Sequence, residues 1–239
     1  MNISLRLASV CIAANLEIKE KLVSLGARPE NISVLPAFLP PSIEEREIKR
    51  IPQKVWDFID NHTPIITVNA FKIVFYQDQD LYGLDLCVEL CASLHNDYPK
   101  VGLVFCLPEI GDYEYFNKMK QRIAEEGIED NFLLVTQPYQ FYPILMKSHV
   151  FIRPTNTDGD ATSLREALFF KVPSVASDVC PRPEGTILFK NRDINDLTQK
   201  VRELLNNYEP RKKELDLVKI EDNSMKLVEV YQNLMNLKG

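Results

Sequence analysis

The stretch from residue 149 to 177 limits what this chain can become more than any other. An apolar run from His149 to Arg153 is followed by a polar loop, Pro154-Thr155-Asn156-Thr157-Asp158-Gly159-Asp160. A helix start, Ala161-Thr162-Ser163-Leu164-Arg165-Glu166-Ala167, and a second apolar run from Val172 to Ser177 come next. Short apolar runs bounded by turn residues read as buried strands, so the order is strand, loop, helix, strand. Free backbone N–H groups and the positive end of the helix dipole make such a helix start attractive to anions. Asp158 on the loop and Glu166 eight positions later would flank a ligand whose phosphates sit there, an arrangement suited to a sugar joined to a nucleoside diphosphate.

The rest of the chain repeats the alternation. Strands are expected at Pro64–Asn69, Val101–Cys106, Phe132–Val135, Val150–Arg153, Ser174–Ala176 and Thr186–Phe189. Helices are expected at Leu84–Leu94, Asp112–Glu126, Phe141–Lys147 and Ser163–Phe170. This predicts an α/β fold, a Rossmann-like parallel sheet with helices on both faces. Ligands of such sheets bind beyond the carboxyl ends of the strands, so the loops after Asn69, Cys106, Val135 and Arg153 should line one crevice. Ahead of this lie a buried strand at Ser9–Ala14, a helix at Glu17–Gly26 and a short strand at Ile32–Leu35. Pro36, Pro40 and Pro41 then interrupt regular structure. Two domains are expected, residues 1–42 and residues 43–239, the second closed by two amphipathic helices. Their apolar stripes are Ile194, Leu197, Val201 and Leu204, then Leu227, Tyr231 and Leu234.

Composition narrows the function classes. A net charge of −6 on 239 residues argues against a nucleic-acid binder, which needs a basic face. No apolar stretch is long enough for a transmembrane helix, and Met1-Asn2-Ile3-Ser4 lacks the marks of a signal peptide, so a cytoplasmic location is expected, extending to the inner face of the membrane. The five cysteines show no Cys-x-x-Cys spacing and the three histidines are scattered, which speaks against a disulfide framework or a metal site. Cys87 and Cys91 share a helical stripe with Leu84 and Leu94 and read as buried core thiols.

Asp158 to Glu166, with Ala167-Leu168 and the Val172-to-Asp178 strand, resembles the signature of retaining GT-B glycosyltransferases of family four. The usual pattern there is Glu-Gly-Phe-Gly, four residues, Glu-Ala, then a Gly-Val-Pro-Val-Val-like strand. Here Asp158 stands for the first Glu, Asp160-Ala161 for Phe-Gly and Lys171 for the Gly before Val-Pro, while Glu166 keeps the second Glu. Arg153 to Asp160 and Arg182-Pro183-Glu184-Gly185 look like the variant found in bacterial surface-polysaccharide enzymes. The resemblance implies that the chain is the C-terminal, donor-binding half of a GT-B fold, with the N-terminal acceptor domain largely absent and only its end in residues 1–42.

The resemblance also implies roles. Glu166 would accept the ribose hydroxyls, against the alternative that Ser163-Leu164-Arg165-Glu166 is a helix capping box. Asp158 would lie near the anomeric carbon as the catalytic carboxylate, against a plain Asp-Gly turn. Ala161, Thr162, Ser163 and Leu164 would offer N–H groups, and the two hydroxyls, to the diphosphate. Lys72, Arg153 and Arg182 are the candidate counter-charges, since Tyr82 stands before Gly83 where the family has a Lys. Tyr139 would stack on the nucleobase. No cofactor or metal is implied, the nucleotide-sugar being a substrate.

Two functions compete. One is a glycosyltransferase donor domain in polysaccharide or glycolipid biosynthesis. The other is a non-catalytic nucleotide-sugar-binding subunit or truncated remnant needing a partner chain or a second copy. Whether this chain alone turns over is left open between them. Dinucleotide redox chemistry is disfavoured, because no G-x-G-x-x-G follows an early strand.

Overall fold

A computed structural model describes residues 3–236. The chain divides into two compact units, one from Pro41 to Lys219 and the other joining the residues up to Pro40 with those from Ile220 onward.

In the smaller unit α1 (Ile3–Leu7), β1 (Cys11–Ala13), α2 (Leu16–Ser24) and β2 (Ile32–Val34) precede Pro40. The strands pair in parallel, with Cys11 opposite Ile32. Asn15 caps α2 by accepting from the Ile18 amide at 2.8 Å. The sequence reads β1 as buried. Of its residues only Ala13 is, while Ile12 is exposed, because this two-stranded sheet has little to cover it.

The larger unit opens with α3 (Glu45–Arg50) and α4 (Gln53–Asn61). There follow β3 (Ile65–Asn69), a hairpin of β4 (Phe75–Tyr76) and β5 (Gln79–Asp80), α5 (Leu84–His95), β6 (Gly102–Cys106), α6 (Tyr113–Glu125), β7 (Phe132–Val135) and α7 (Tyr142–Leu145). Then come β8 (Val150–Arg153), α8 (Thr162–Phe169), β9 (Ser174–Ser177), β10 (Thr186–Phe189), α9 (Ile194–Asn206) and α10 (Tyr208–Glu214). The last helix, α11 (Ser224–Asn236), groups with the smaller unit.

Six strands form one parallel sheet in the order β10-β9-β8-β3-β6-β7. That is the doubly wound order, in which the chain starts at the centre, builds one side, then returns to build the other. Successive side chains of a strand point to opposite faces, and the core divides accordingly. Ile66, Val68, Leu103, Phe105, Val150, Ile152 and Val175 pack with α5, α6 and α9. Their neighbours Ile65, Val104 and Cys106 pack with α4 and α7, and Phe151 and Ala176 with α7 and α8. Burial on both faces explains the near-continuous apolar runs. It also accounts for α5, where Leu84, Cys87, Leu90, Cys91 and Leu94 are fully enclosed, at roughly 1.5–3 kcal/mol for each large side chain.

Lys171 adopts the left-handed conformation just beyond α8, at φ 58°, where glycine is the usual choice. Its amine donates to the Leu215 carbonyl at 2.7 Å and the Val218 carbonyl at 2.9 Å.

Candidate functional site

Strand order reverses between β3 and β8, so their connections leave in opposite directions and open a crevice at the carboxyl ends. Arg153, the last residue of β8, spans it: its Nη1 donates to the carbonyl of Asn69, the last residue of β3, at 3.3 Å. Its guanidinium also lies 5.2 Å from the centroid of the Tyr82 ring.

The loop after β8 is built around Asp158. Its Oδ2 accepts from Arg153 Nε at 3.0 Å, Arg182 Nη1 at 2.9 Å and Thr155 Oγ1 at 3.2 Å, and its Oδ1 accepts from the Gly159 amide at 3.1 Å. Burial pushes this carboxyl up, and the two guanidinium groups more than offset that, leaving it below its ordinary value. The acid is thus ionised and its oxygens are engaged, with 11% of the side chain exposed.

Arg182, expected from the sequence as a diphosphate counter-charge, is turned into the protein. Only 2% of its side chain is exposed, and it donates to the Ser177 carbonyl, Ser177 Oγ and Thr155 Oγ1 as well as to Asp158. A guanidinium so committed fastens the loop to β9 rather than meeting a ligand. Asp160 is likewise held, by Arg165 Nε at 3.0 and 3.1 Å.

Glu166 is different. It lies in the second turn of α8, half-buried, and among the described residues no hydrogen bond or ion pair reaches its carboxylate. Burial alone pushes it up to about 7. The capping-box alternative is removed, because the N-cap is Ala161 rather than Ser163 and no side chain caps this terminus. Ala161, Ser163 and Leu164 are buried, and Thr162 is exposed at the first helical position.

On the other side of Asn69 lies a cavity of about 310 Å³ lined by Asn69, Phe71, Cys106, Val135, Tyr139 and Phe141 among others. Three of these end β3, β6 and β7, as expected for a ligand site in such a sheet. Tyr139 lines this strand-end cavity. Asn69, which that reading passed over, joins the two regions, and its Oδ1 is buried without a hydrogen-bond partner. A larger depression of about 450 Å³ runs along α5 and α9, past Glu89, Ser93 and Arg202. It lies on a helical face, away from the strand ends.

Lys72 stands on the loop after β3 but pairs with Glu109 at 3.6 Å, both partly exposed. Gly83 opens α5 as its N-cap at φ 69°. A Cβ there would lie 2.7 Å from the Pro154 carbonyl oxygen, so glycine lets this helix start approach the Asp158 loop. The α5 terminus is already occupied: Asp80, buried, accepts from the Leu84 amide at 2.6 Å and the Tyr82 amide at 3.0 Å. This acidic cap also escaped the sequence reading, though an Asp three residues before a helix-opening glycine is a visible signal. No group of three His, Cys, Asp or Glu residues able to hold a metal occurs among the described residues, and no described helix is long and apolar enough to cross a membrane.

The family model of the glycosyl transferases group 1 matches residues 70–216, which include every site residue above except Asn69. The chain belongs to this family. No curated protein matches it. Among solved structures, this group 1 chain is similar to HepE of Anabaena in complex with UDP and glucose, with a TM-score of 0.69 and 13% identity over 99% of this chain and 64% of that one. S. aureus TarM, in a complex that includes UDP, gives 0.68 and 19% over 98% and 45%. The C-terminal domain of the group 1 protein LpcC from Francisella tularensis gives 0.56 and 14% over 74% and 90%. The chain thus spans less than two thirds of the HepE and TarM chains, and at these identities the likeness is one of fold.

Proposed function

We propose that this chain is the donor-binding part of a retaining glycosyltransferase of GT-B family four, holding a nucleoside-diphosphate sugar for transfer to a bacterial surface polysaccharide or glycolipid at the inner face of the membrane. The observation that carries the reading is Glu166, a half-buried carboxylate with no partner, on a helix whose first turn has no side-chain cap. A carboxylate offers acceptors to two adjacent ribose hydroxyls. The helix start at Thr162, Ser163 and Leu164 suits the diphosphate through its dipole, with Arg153 as its counter-charge and Tyr139 beside the nucleobase. A helix terminus and a guanidinium aimed at the leaving diphosphate stabilise the charge that develops there. The complexes of HepE with UDP support a nucleotide as the ligand class. Residues 1–42 form the end of an acceptor domain, in this reading, and 43–239 the donor domain.

One observation favours the non-catalytic alternative. Asp158 would act on the donor sugar, yet Arg153, Arg182, Thr155 and the Gly159 amide engage both its oxygens. Transfer of sugar from donor to an added acceptor by the purified chain would eliminate that alternative.

Calorimetric titration of UDP and GDP into the parent chain and Glu166→Ala tests the main reading. One nucleotide should bind the parent, and the variant should lose about 1.5–3 kcal/mol, the worth of a hydrogen bond to a charged group. Equal affinities would remove Glu166 from the site, and no binding of either nucleotide would end the proposal.

A further inference from the structure

Two arginines share the Asp158 carboxylate, and they differ in how fully each is engaged. Arg182 donates from Nε, Nη1 and Nη2 to protein oxygens. Arg153 donates from Nε to Asp158 and from Nη1 to the Asn69 carbonyl, but among the described residues its Nη2 meets no hydrogen-bond partner. The one carboxylate offsets one of the two guanidinium charges, so a positive charge is left over, carried by a half-used fork in the crevice.

Such a fork serves an anion best when it is already still, because an arginine side chain has rotamer freedom that a ligand would otherwise have to remove. The two hydrogen bonds fix one edge of the guanidinium. A third hold comes from Tyr82: Arg153 Cζ lies over its ring, 5.2 Å from the centroid. The ring in turn packs against the core shared with α5. The backbone sets this contact up. The Asn156 amide donates to the Leu81 carbonyl at 3.0 Å, the Tyr82 amide donates to Asp80 at 3.0 Å, and a Cβ on Gly83 would meet the Pro154 carbonyl oxygen at 2.7 Å. Residues 81–83 are thus locked against residues 154–156, and the ring at 82 is carried to the guanidinium at 153.

We propose that Tyr82 is a positioning residue, its ring holding the Arg153 guanidinium with Nη2 free to meet the diphosphate of the donor. The position before Gly83 thus contributes a ring that orients a charge at the end of β8, rather than a charge of its own. This rests on the donor-site reading, since without a phosphate ligand the held guanidinium has nothing to meet. Three properties separate positioning from plain packing. Tyr82 acts only through Arg153, it acts only on the phosphate end of the ligand, and it needs the ring but not the hydroxyl.

The test is calorimetry of UDP and uridine on the full chain and on Tyr82→Leu, Tyr82→Phe, Arg153→Ala and the double variant Tyr82→Leu/Arg153→Ala. Side-chain NMR of the ligand-free proteins accompanies it, with the Arg153 resonances identified by their loss in Arg153→Ala. UDP affinity should fall about tenfold in Tyr82→Leu, stay within about twofold of the parent in Tyr82→Phe, and fall no further in the double variant than in Arg153→Ala alone. Uridine affinity should be the same throughout. The Arg153 resonances should carry a ring-current displacement in the parent and in Tyr82→Phe, and lose it in Tyr82→Leu. A Tyr82→Phe variant as weak as Tyr82→Leu, losses that add in the double variant, or an equal loss for uridine would overturn the positioning role. So would undisplaced Arg153 resonances in the parent, a result that does not depend on Tyr82→Leu folding. If Arg153→Ala weakens UDP binding and Tyr82→Leu does not, the positioning role falls and the donor-site reading stands. No UDP binding by the parent overturns both.

Discussion

Replacing Glu166 by glutamine should stabilise the ligand-free chain at alkaline pH and do almost nothing in acid. Burial pushes the carboxyl from 4.5 to about 7 with nothing beside it to offset the loss of water. Below about 4.5 the folded and unfolded chains both carry the proton, and Glu166 has no pH-dependent effect. As pH rises from there to about 7 the unfolded chain ionises first and stability is lost; above 7 the loss is complete. At about 1.4 kcal/mol per pH unit, the gap between 4.5 and about 7 amounts to roughly 3 kcal/mol. The side chain is only partly enclosed, and solvent screening reduces this to about 1–2 kcal/mol. Urea unfolding followed by fluorescence of Trp56, which packs against the α4 side of the core, reads the difference. Measurements at about pH 4.2 and 8.5 stay clear of the isoelectric region. The glutamine side chain carries no charge, so the Glu166→Gln variant should be the more stable protein at the higher pH by the stated amount. A difference equal at both pH values, or a variant less stable at pH 8.5, would refute the reasoning. Binding should run the other way: UDP affinity of the parent should rise through pH 7 as the carboxylate forms, and that of the variant should stay flat.

Gly83→Ala should cost about 2–4 kcal/mol in unfolding free energy, because a left-handed backbone strains alanine and the new methyl meets the Pro154 carbonyl oxygen; a loss below half a kcal/mol would show that the α5 terminus yields. Arg182→Ala should destabilise by about 3 kcal/mol near neutral pH by breaking a buried pair. Since the Asp158 carboxyl is held below its ordinary value, this part of the stability is present above that value and lost as pH falls through the lowered one, so the variant's deficit should shrink in acid. Arg153→Ala should weaken binding of UDP much more than that of uridine, as seen by calorimetry; a uniform loss would take it off the diphosphate.

The sheet was legible in the sequence because its central strands are buried on both faces and all are bounded by turn residues, so period and punctuation agree. Val101–Cys106 and Phe132–Val135 emerge almost residue for residue. Three things were not legible. The hairpin at 75–80 lacks Asn-Gly or any glycine at its turn, and its strands are too short to show alternation. The helix at Tyr208–Glu214 has no buried residue and hence no apolar period. Within the site, Asp158 and Glu166 stand out by their spacing across a loop-to-helix junction, but the allegiance of Arg182 does not, since Ser177, Thr155 and Asp158 converge on it only once β9 lies beside β8.

The conformation of Lys171 bears on how the molecule can be divided. Lys171 fastens the last turn before the unit boundary at Lys219, its amine donating to the Leu215 and Val218 carbonyls, the first of which also accepts the Val218 amide. The larger unit therefore carries its own latch. A fragment from 41 to 219 keeps both halves of it, whereas one ending at 214 strands a buried-side amine and frays the edge next to β10. The same latch makes the unit portable, a cassette that could be set behind a different N-terminal neighbour without redesigning its far end.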